Sequence, residues 1–284
     1  MSLVPLPDLL AAAGRDGYAL GYFEAWDSYS LDAVLEAAEA ERSPVILGFG
    51  CLLVERSWLD RGGIEVFGAL GRAAAARAAV PVALILNEAH TVEQALRGLD
   101  AGFNAVMVHG ASPADVSRLV GEAHGRGAAV EGELGELPAG PDGLGGSLTD
   151  PDEAAAYVAE TGVDCLAVSF GNVHVLEGRA EGVDLDRLEA VSSAADVPLA
   201  VHGGTSFPPE LVPGAIARGV AKFNVGTGLK RAFLDGLSAA GHPDGDPHAL
   251  LGSRGSADLL SAGAARMRGV ARGLIRLYGG SGRA

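Results

Sequence analysis

Three histidines, three carboxylates and two Gly/Thr turns occupy one kind of place in this chain: each follows a short apolar run. They are Glu24, Asn87 with Glu88, His109, Glu133, His174, the run His202-Gly203-Gly204-Thr205-Ser206 and the run Asn224-Val225-Gly226-Thr227. His174 and His202 with a carboxylate make the donor set of a divalent-metal site, since neutral imidazoles and one carboxylate suit Zn²⁺ or another first-row ion. The competing reading is that both histidines hydrogen-bond a substrate. In the two turns, small residues let backbone N–H groups approach an anion, the hydroxyls of Thr205, Ser206 and Thr227 add donors, and a helix just beyond adds its positive end. This predicts a phosphate subsite at Gly203, Gly204, Thr205, Ser206, Asn224, Gly226 and Thr227, against the alternative of two ordinary glycine turns.

Such residues converge only if the elements before them run parallel. Apolar runs at 19–23, 44–49, 82–87, 105–110, 128–135, 165–170, 198–204 and 220–227 alternate with helical patterns, many ending in glycine, as in LDAG, AETG and IARG. Runs apolar nearly throughout suit strands buried on both faces of a parallel sheet. Eight such units predict an α/β fold, a (β/α)8 barrel, whose functional groups gather at the strand exits. An open doubly wound sheet is the runner-up, disfavoured by the count and by the lack of a GxGxxG turn after the first strand. The whole chain, 1–284, reads as one barrel domain with a C-terminal helical extension at about 256–278. That last helix carries Met267, Val270, Leu274 and Leu277 as its packing stripe, and the Gly/Pro-rich stretch 136–152 is a candidate mobile lid.

Composition narrows the function. A net charge of −15 repels nucleic acid and anionic membranes but leaves room for a small phosphorylated ligand in a local positive pocket. No apolar run approaches a membrane span, and no basic region precedes an apolar one at the N-terminus. Cys51 and Cys165 lack metal-type spacing and read as reduced buried thiols. A soluble, cytoplasmic protein is expected.

Over almost its whole length the chain resembles the class II, metal-dependent fructose/tagatose-bisphosphate aldolases. The matching stretches include VEQALRGLDAGFNAVM, VEGELG, TGVDCLAVSFGNVH, PLAVHGGTS, GVAKFNVGT and the terminal IRLYGGSGRA. The resemblance implies a homodimer or homotetramer and a Zn²⁺ ion that polarises a ketone during reversible aldol cleavage. It puts His174 and His202 on the second and third zinc histidines, Glu133 on the glutamate near the metal, and 203–205 and 224–227 on the substrate turns. The departures fall on the site. Asn87 and Glu88 stand where the family has an aspartate and the first zinc histidine. Glu24 replaces an asparagine, His109 an aspartate, Val175 a glycine and Gly50 a serine, and the lid lacks a Glu-Asp pair.

These departures imply changed chemistry or substrate. The leading expectation is a metal-dependent carbon–carbon lyase acting on a phosphorylated ketose-like compound, outside the standard glycolytic reaction. Glu88, His174 and His202 would hold Zn²⁺, with Mn²⁺, Co²⁺ or Mg²⁺ able to compete. Asn87 cannot transfer a proton, so Glu24, Glu133 or His109 must replace the aspartate. The alternatives are Schiff-base chemistry at Lys222, for which a buried ion pair is the competing role, and a sugar-phosphate-binding protein without catalysis.

Overall fold

The computed structural model describes residues 3–134, 139–140, 147–241 and 244–284. Eight parallel strands close on themselves in chain order: β1 Leu20–Glu24, β2 Val45–Gly50, β3 Val82–Ala89, β4 Ala105–Val108, β5 Ala129–Glu133, β6 Cys165–Ala167, β7 Leu199–Val201 and β8 Val220–Val225. The connecting helices are α1 Leu6–Asp16, α2 Ser28–Glu41, α3 Arg56–Trp58, α4 Ile64–Arg77, α5 Val92–Asp100, α6 Pro113–His124, α7 Pro151–Thr161, α8 Leu185–Ala195, α9 Val212–Ile216, α10 Thr227–Ala239, α11 Pro247–Leu250 and α12 Leu259–Leu277. This is a (β/α)8 barrel, as the alternation predicts, and the open sheet is excluded by closure of β1 on β8.

Alternation along each strand sorts the side chains into two layers. Outward residues such as Phe23, Leu47, Leu84, Val106 and Phe223 pack under the helices in one large core. Inward residues are mostly small or aliphatic, among them Leu20, Ile46, Ala83, Ala129, Ala167 and Ala200. The helix before the first strand was not read from sequence. It buries Leu6, Leu9, Leu10 and Ala13 against that inner layer and caps the N-terminal end of the barrel.

Several strands are shorter than the apolar runs. β6 stops at Ala167 and β7 at Val201, because the chain then turns into the polar loops that carry the site. Residue 135, placed in the fifth run, lies outside the described residues, as do 136–138 and 141–146 of the candidate lid. The described part of that stretch is tied down: Ala139 bridges His174, and the Gly140 N–H donates to the His174 carbonyl at 2.7 Å.

The packing stripe of α12 is centred on Gly263, Met267, Ala271 and Ile275; Val270, Leu274 and Leu277 flank it half-buried. α12 packs on α2 and α10 of its own chain, which rotates the stripe by a residue from the expected one. Glu41, at the end of α2, accepts from Arg272, Arg276 and Ser281 and fixes the helix C-terminus. Among the described residues, no helix is long and apolar enough to cross a membrane.

Candidate metal centre at the barrel mouth

Consecutive residues of a strand face opposite sides, so Asn87 and Glu88 should not share a cleft. They do, because β3 breaks register between Leu86 and Ala89 and Glu88 adopts φ 56°, a left-handed backbone rare outside glycine. The bulge turns Glu88 inward beside Asn87, and both line the cleft at the strand exits. Asn87 is 2% exposed, and its Oδ1 meets no donor among the described residues.

Glu88 Oε1 lies 3.2 Å from His202 Nδ1 and 3.5 Å from His174 Nε2. One ligand atom from each residue falls within 4.8 Å of the others. Glu88 Oε1 and His202 Nδ1 are buried yet have no hydrogen-bond partner, since their close approach lacks hydrogen-bond alignment. Donors that converge on a common point without satisfying one another fit a cation between them.

Behind His202 stands a network absent from the sequence reading. His202 Nε2 is 3.0 Å from Glu131 Oε1 and 2.8 Å from the Asn224 side-chain amide. Glu131 Oε2 lies 2.6 Å from Lys222 Nζ, which also donates to Asn224 Oδ1. Burial alone would depress the His202 pKa, but Glu131 and Glu88 outweigh it and hold the imidazole up to about 9. Burial would likewise raise Glu88; the facing His202 and His174 hold it down to about 2. Glu131 sits below the ordinary carboxylate range because Lys222 and His202 overcome its burial. With Nε2–H donated to Glu131, Nδ1 of His202 is presented as a ligand atom. The ion-pair reading of Lys222 is therefore the one seen. Glu131 shares parity with Glu133 in VEGELG, which was the available signal.

The remaining candidates divide. Glu24 faces the same cleft as Glu88, with Oε1 2.7 Å from Lys230 Nζ. Burial raises its pKa, with Glu88 adding to the rise and Lys230 opposing it. Lys230 was not read as a site residue, although it lies one turn into the helix after the Gly/Thr turn. Glu133 and His109 pair with each other, Oε2 to Nδ1 at 3.1 Å, and face a neighbouring cavity beside Tyr157 instead.

The two turns are built as expected but spend some of the expected donors internally. Gly203 has φ 83°, and a Cβ there would overlap the Val173 carbonyl. The Gly204 N–H donates to the Asn224 carbonyl, and the Ser206 hydroxyl donates within the turn region to Val173 and Gly203 carbonyls. Ser206 and the Gly204 N–H thus do not point to the cleft, a correction to the sequence reading. Thr205 Oγ1 accepts from the Gly228 N–H. The backbone N–H groups of Thr205, Gly226 and Thr227 meet no acceptor among the described residues. Gly226 and Thr227 lie at the start of α10, which has no side-chain cap.

Fold and site together define a (β/α)8 barrel with a His/His/Glu donor cluster and an anion-suited turn pair at one mouth. The chain belongs to the class II fructose-bisphosphate aldolases, a family of carbon–carbon lyases whose model matches residues 4–283. It is 33% identical to a fructose-bisphosphate aldolase of Geobacillus stearothermophilus over 298 residues, covering 100% of this chain and 99% of the relative. A 6-phospho-5-dehydro-2-deoxy-D-gluconate aldolase of Bacillus velezensis is 32% identical, covering 100% and 98%. A sulfofructosephosphate aldolase of Alkalicoccus urumqiensis is 29% identical, covering 100% and 99%. Among solved structures, the YdjI aldolase from Escherichia coli K12 superposes with a TM-score of 0.80 at 27% identity, covering 99% of each chain.

Proposed function

We propose that this chain is a metal-dependent aldolase-type lyase that cleaves or forms a carbon–carbon bond in a phosphorylated ketose-like substrate, by a reaction other than standard glycolytic cleavage. The observation that carries it is the convergence of Glu88 Oε1, His174 Nε2 and His202 Nδ1 at the barrel mouth, the first and last of them buried without a hydrogen-bond partner. A divalent ion held there supplies Lewis acidity toward a substrate carbonyl. The ion is Zn²⁺ in this reading; a carboxylate in place of one imidazole is a harder donor and lets Mn²⁺, Co²⁺ or Mg²⁺ compete better. Glu88 neutralises charge and fixes the ligand geometry, and Glu131 holds His202 in the tautomer that binds through Nδ1.

Of the three titratable candidates, Glu24 shares the cleft with Glu88 and Asn87, so it is assigned the proton transfer at the substrate hydroxyl. The raised pKa of Glu24 suits a group that both gives and takes a proton. Asn87 orients a hydroxyl through its free Oδ1. The N–H groups of Thr205, Gly226 and Thr227 receive the phosphoryl group. Relatives named for sulfofructosephosphate and for a deoxygluconate phosphate support a sugar-phosphate substrate.

The test is aldol condensation of dihydroxyacetone phosphate with a panel of aldehydes, after elemental analysis and reloading with each metal. Metal-dependent product formation that Glu24→Gln reduces about 10²–10⁴-fold supports the reading. Cleavage of fructose 1,6-bisphosphate should be slow by a similar factor relative to a dedicated enzyme. Activity unchanged after chelation and dialysis sinks it.

A further inference from the structure

The cleft holds few cations, and they are already committed. Among the described residues lining it, Lys230 and Arg231 are the cationic ones. Lys230 is paired with Glu24 at 2.7 Å and Arg231 with Glu177 at 2.9 Å. The Arg231 pair is exposed and reorganises at small cost. The Lys230 pair is different. The Glu24 side chain is 16% exposed and wedged between two glycines: a Cβ at Gly226 would overlap its Oε2, and one at Gly50 would lie 3.0 Å from its Oε1. The carboxylate fills the space of a side chain at 226. The residues outside the description, including 135–138 and 141–146, contain no lysine or arginine to add.

Three carboxylates, Glu24, Glu88 and Glu177, line the cleft with these two cations. A divalent ion at Glu88 leaves a single net positive charge, whereas two phosphoryl groups carry about three to four negative charges at neutral pH. The lining also carries four leucines, Leu52, Leu53, Leu176 and Leu234, which add no charge. Two buried polar atoms lining the cleft, Asn87 Oδ1 and the Tyr22 hydroxyl, have no partner and suit neutral hydroxyl groups.

We propose that the cleft takes a ketose-like substrate bearing one phosphoryl group and an uncharged, hydroxylated distal end, and that Glu24 excludes a second phosphoryl by committing Lys230. This rests on the sugar-phosphate reading above. The phosphoryl group lies at the Thr205 and Thr227 N–H groups beside Arg231; the distal end meets Asn87 and Tyr22.

The test is calorimetric binding of glucitol 1-phosphate and glucitol 1,6-bisphosphate to the metal-loaded protein at low salt. Neither has a ketone, so neither is cleaved. The monophosphate should bind at least about tenfold more tightly, and Glu24→Gln should narrow the gap by freeing Lys230. A wild-type preference for the bisphosphate overturns the proposal, and this ratio needs no variant. A gap unchanged in Glu24→Gln removes Glu24 as its cause. Absence of binding by either overturns the sugar-phosphate reading along with it. Selective monophosphate binding without turnover of any ketose phosphate sinks the lyase reading and leaves the charge limit standing.

Discussion

Lys222 Nζ and Glu131 Oε2 lie 2.6 Å apart in the fully buried centre of the barrel, and the other oxygen of Glu131 faces His202. One ion pair thus joins the inner layer to the candidate metal ligand. Removing one partner strands a buried charge, so Lys222→Met or Glu131→Gln should cost about 3–5 kcal/mol in chemical denaturation. The double change Lys222→Met with Glu131→Leu should recover much of that loss. Because Lys222 Nζ is engaged by Glu131 and Asn224 in the buried interior, borohydride with substrate should leave it unmodified by mass spectrometry; a trapped adduct would reinstate Schiff-base chemistry.

The metal reading has a pH signature. The His202 pKa is raised to about 9 when no ion is bound, so its contribution to apoprotein stability is complete below about 6.5 and is lost as pH rises through 9. An ion bound through Nδ1 must displace that proton. Zn²⁺ affinity should therefore rise about tenfold per pH unit across the same window, with one proton released per ion in buffers of differing ionisation enthalpy. Glu88→Gln should weaken binding; equal affinities in the two proteins would remove Glu88 from the coordination sphere. Glu88→His should bind zinc without restoring ordinary aldolase activity while Asn87 remains.

Val175, next to His174, has φ 52°, a conformation strained for a β-branched residue. Val175→Gly should raise the melting temperature, by about 1 kcal/mol of stability after the entropy lost by glycine is counted. A fall in stability would mean that the packing of Val175 outweighs its backbone strain.

Glu41 is held down to about 2 by Arg276 and Arg272 against its burial. A depressed carboxylate stabilises above its ordinary range and loses that contribution as pH falls from about 4.5 toward 2. Hydrogen exchange in α12 should accelerate in that window, and Glu41→Gln should abolish the pH dependence while costing about 2 kcal/mol at neutral pH. Exchange insensitive to pH in both proteins would release α12 from this tie.

The barrel was legible because eight apolar runs with glycine stops are local signals, and the strand-exit rule then gathers Glu24, Glu88, His174 and His202 without further information. Three things were not legible. The bulge that turns Glu88 inward is a backbone event in β3, and the run VALILNEA carries no glycine to announce it. Glu131 acts through partners 71 and 91 residues away in sequence, His202 and Lys222, so its role appears only once β5, β7 and β8 are in register. Ser206 has the right residue type in the right turn, and only the direction of its hydroxyl, toward the Val173 carbonyl, takes it out of the cleft.

The helix ahead of the first strand stoppers the lower end of the barrel with Leu6, Leu9 and Leu10. Among the described residues this leaves the inward-facing side chains open to a ligand at the strand-exit mouth, where Glu88 and Lys230 stand.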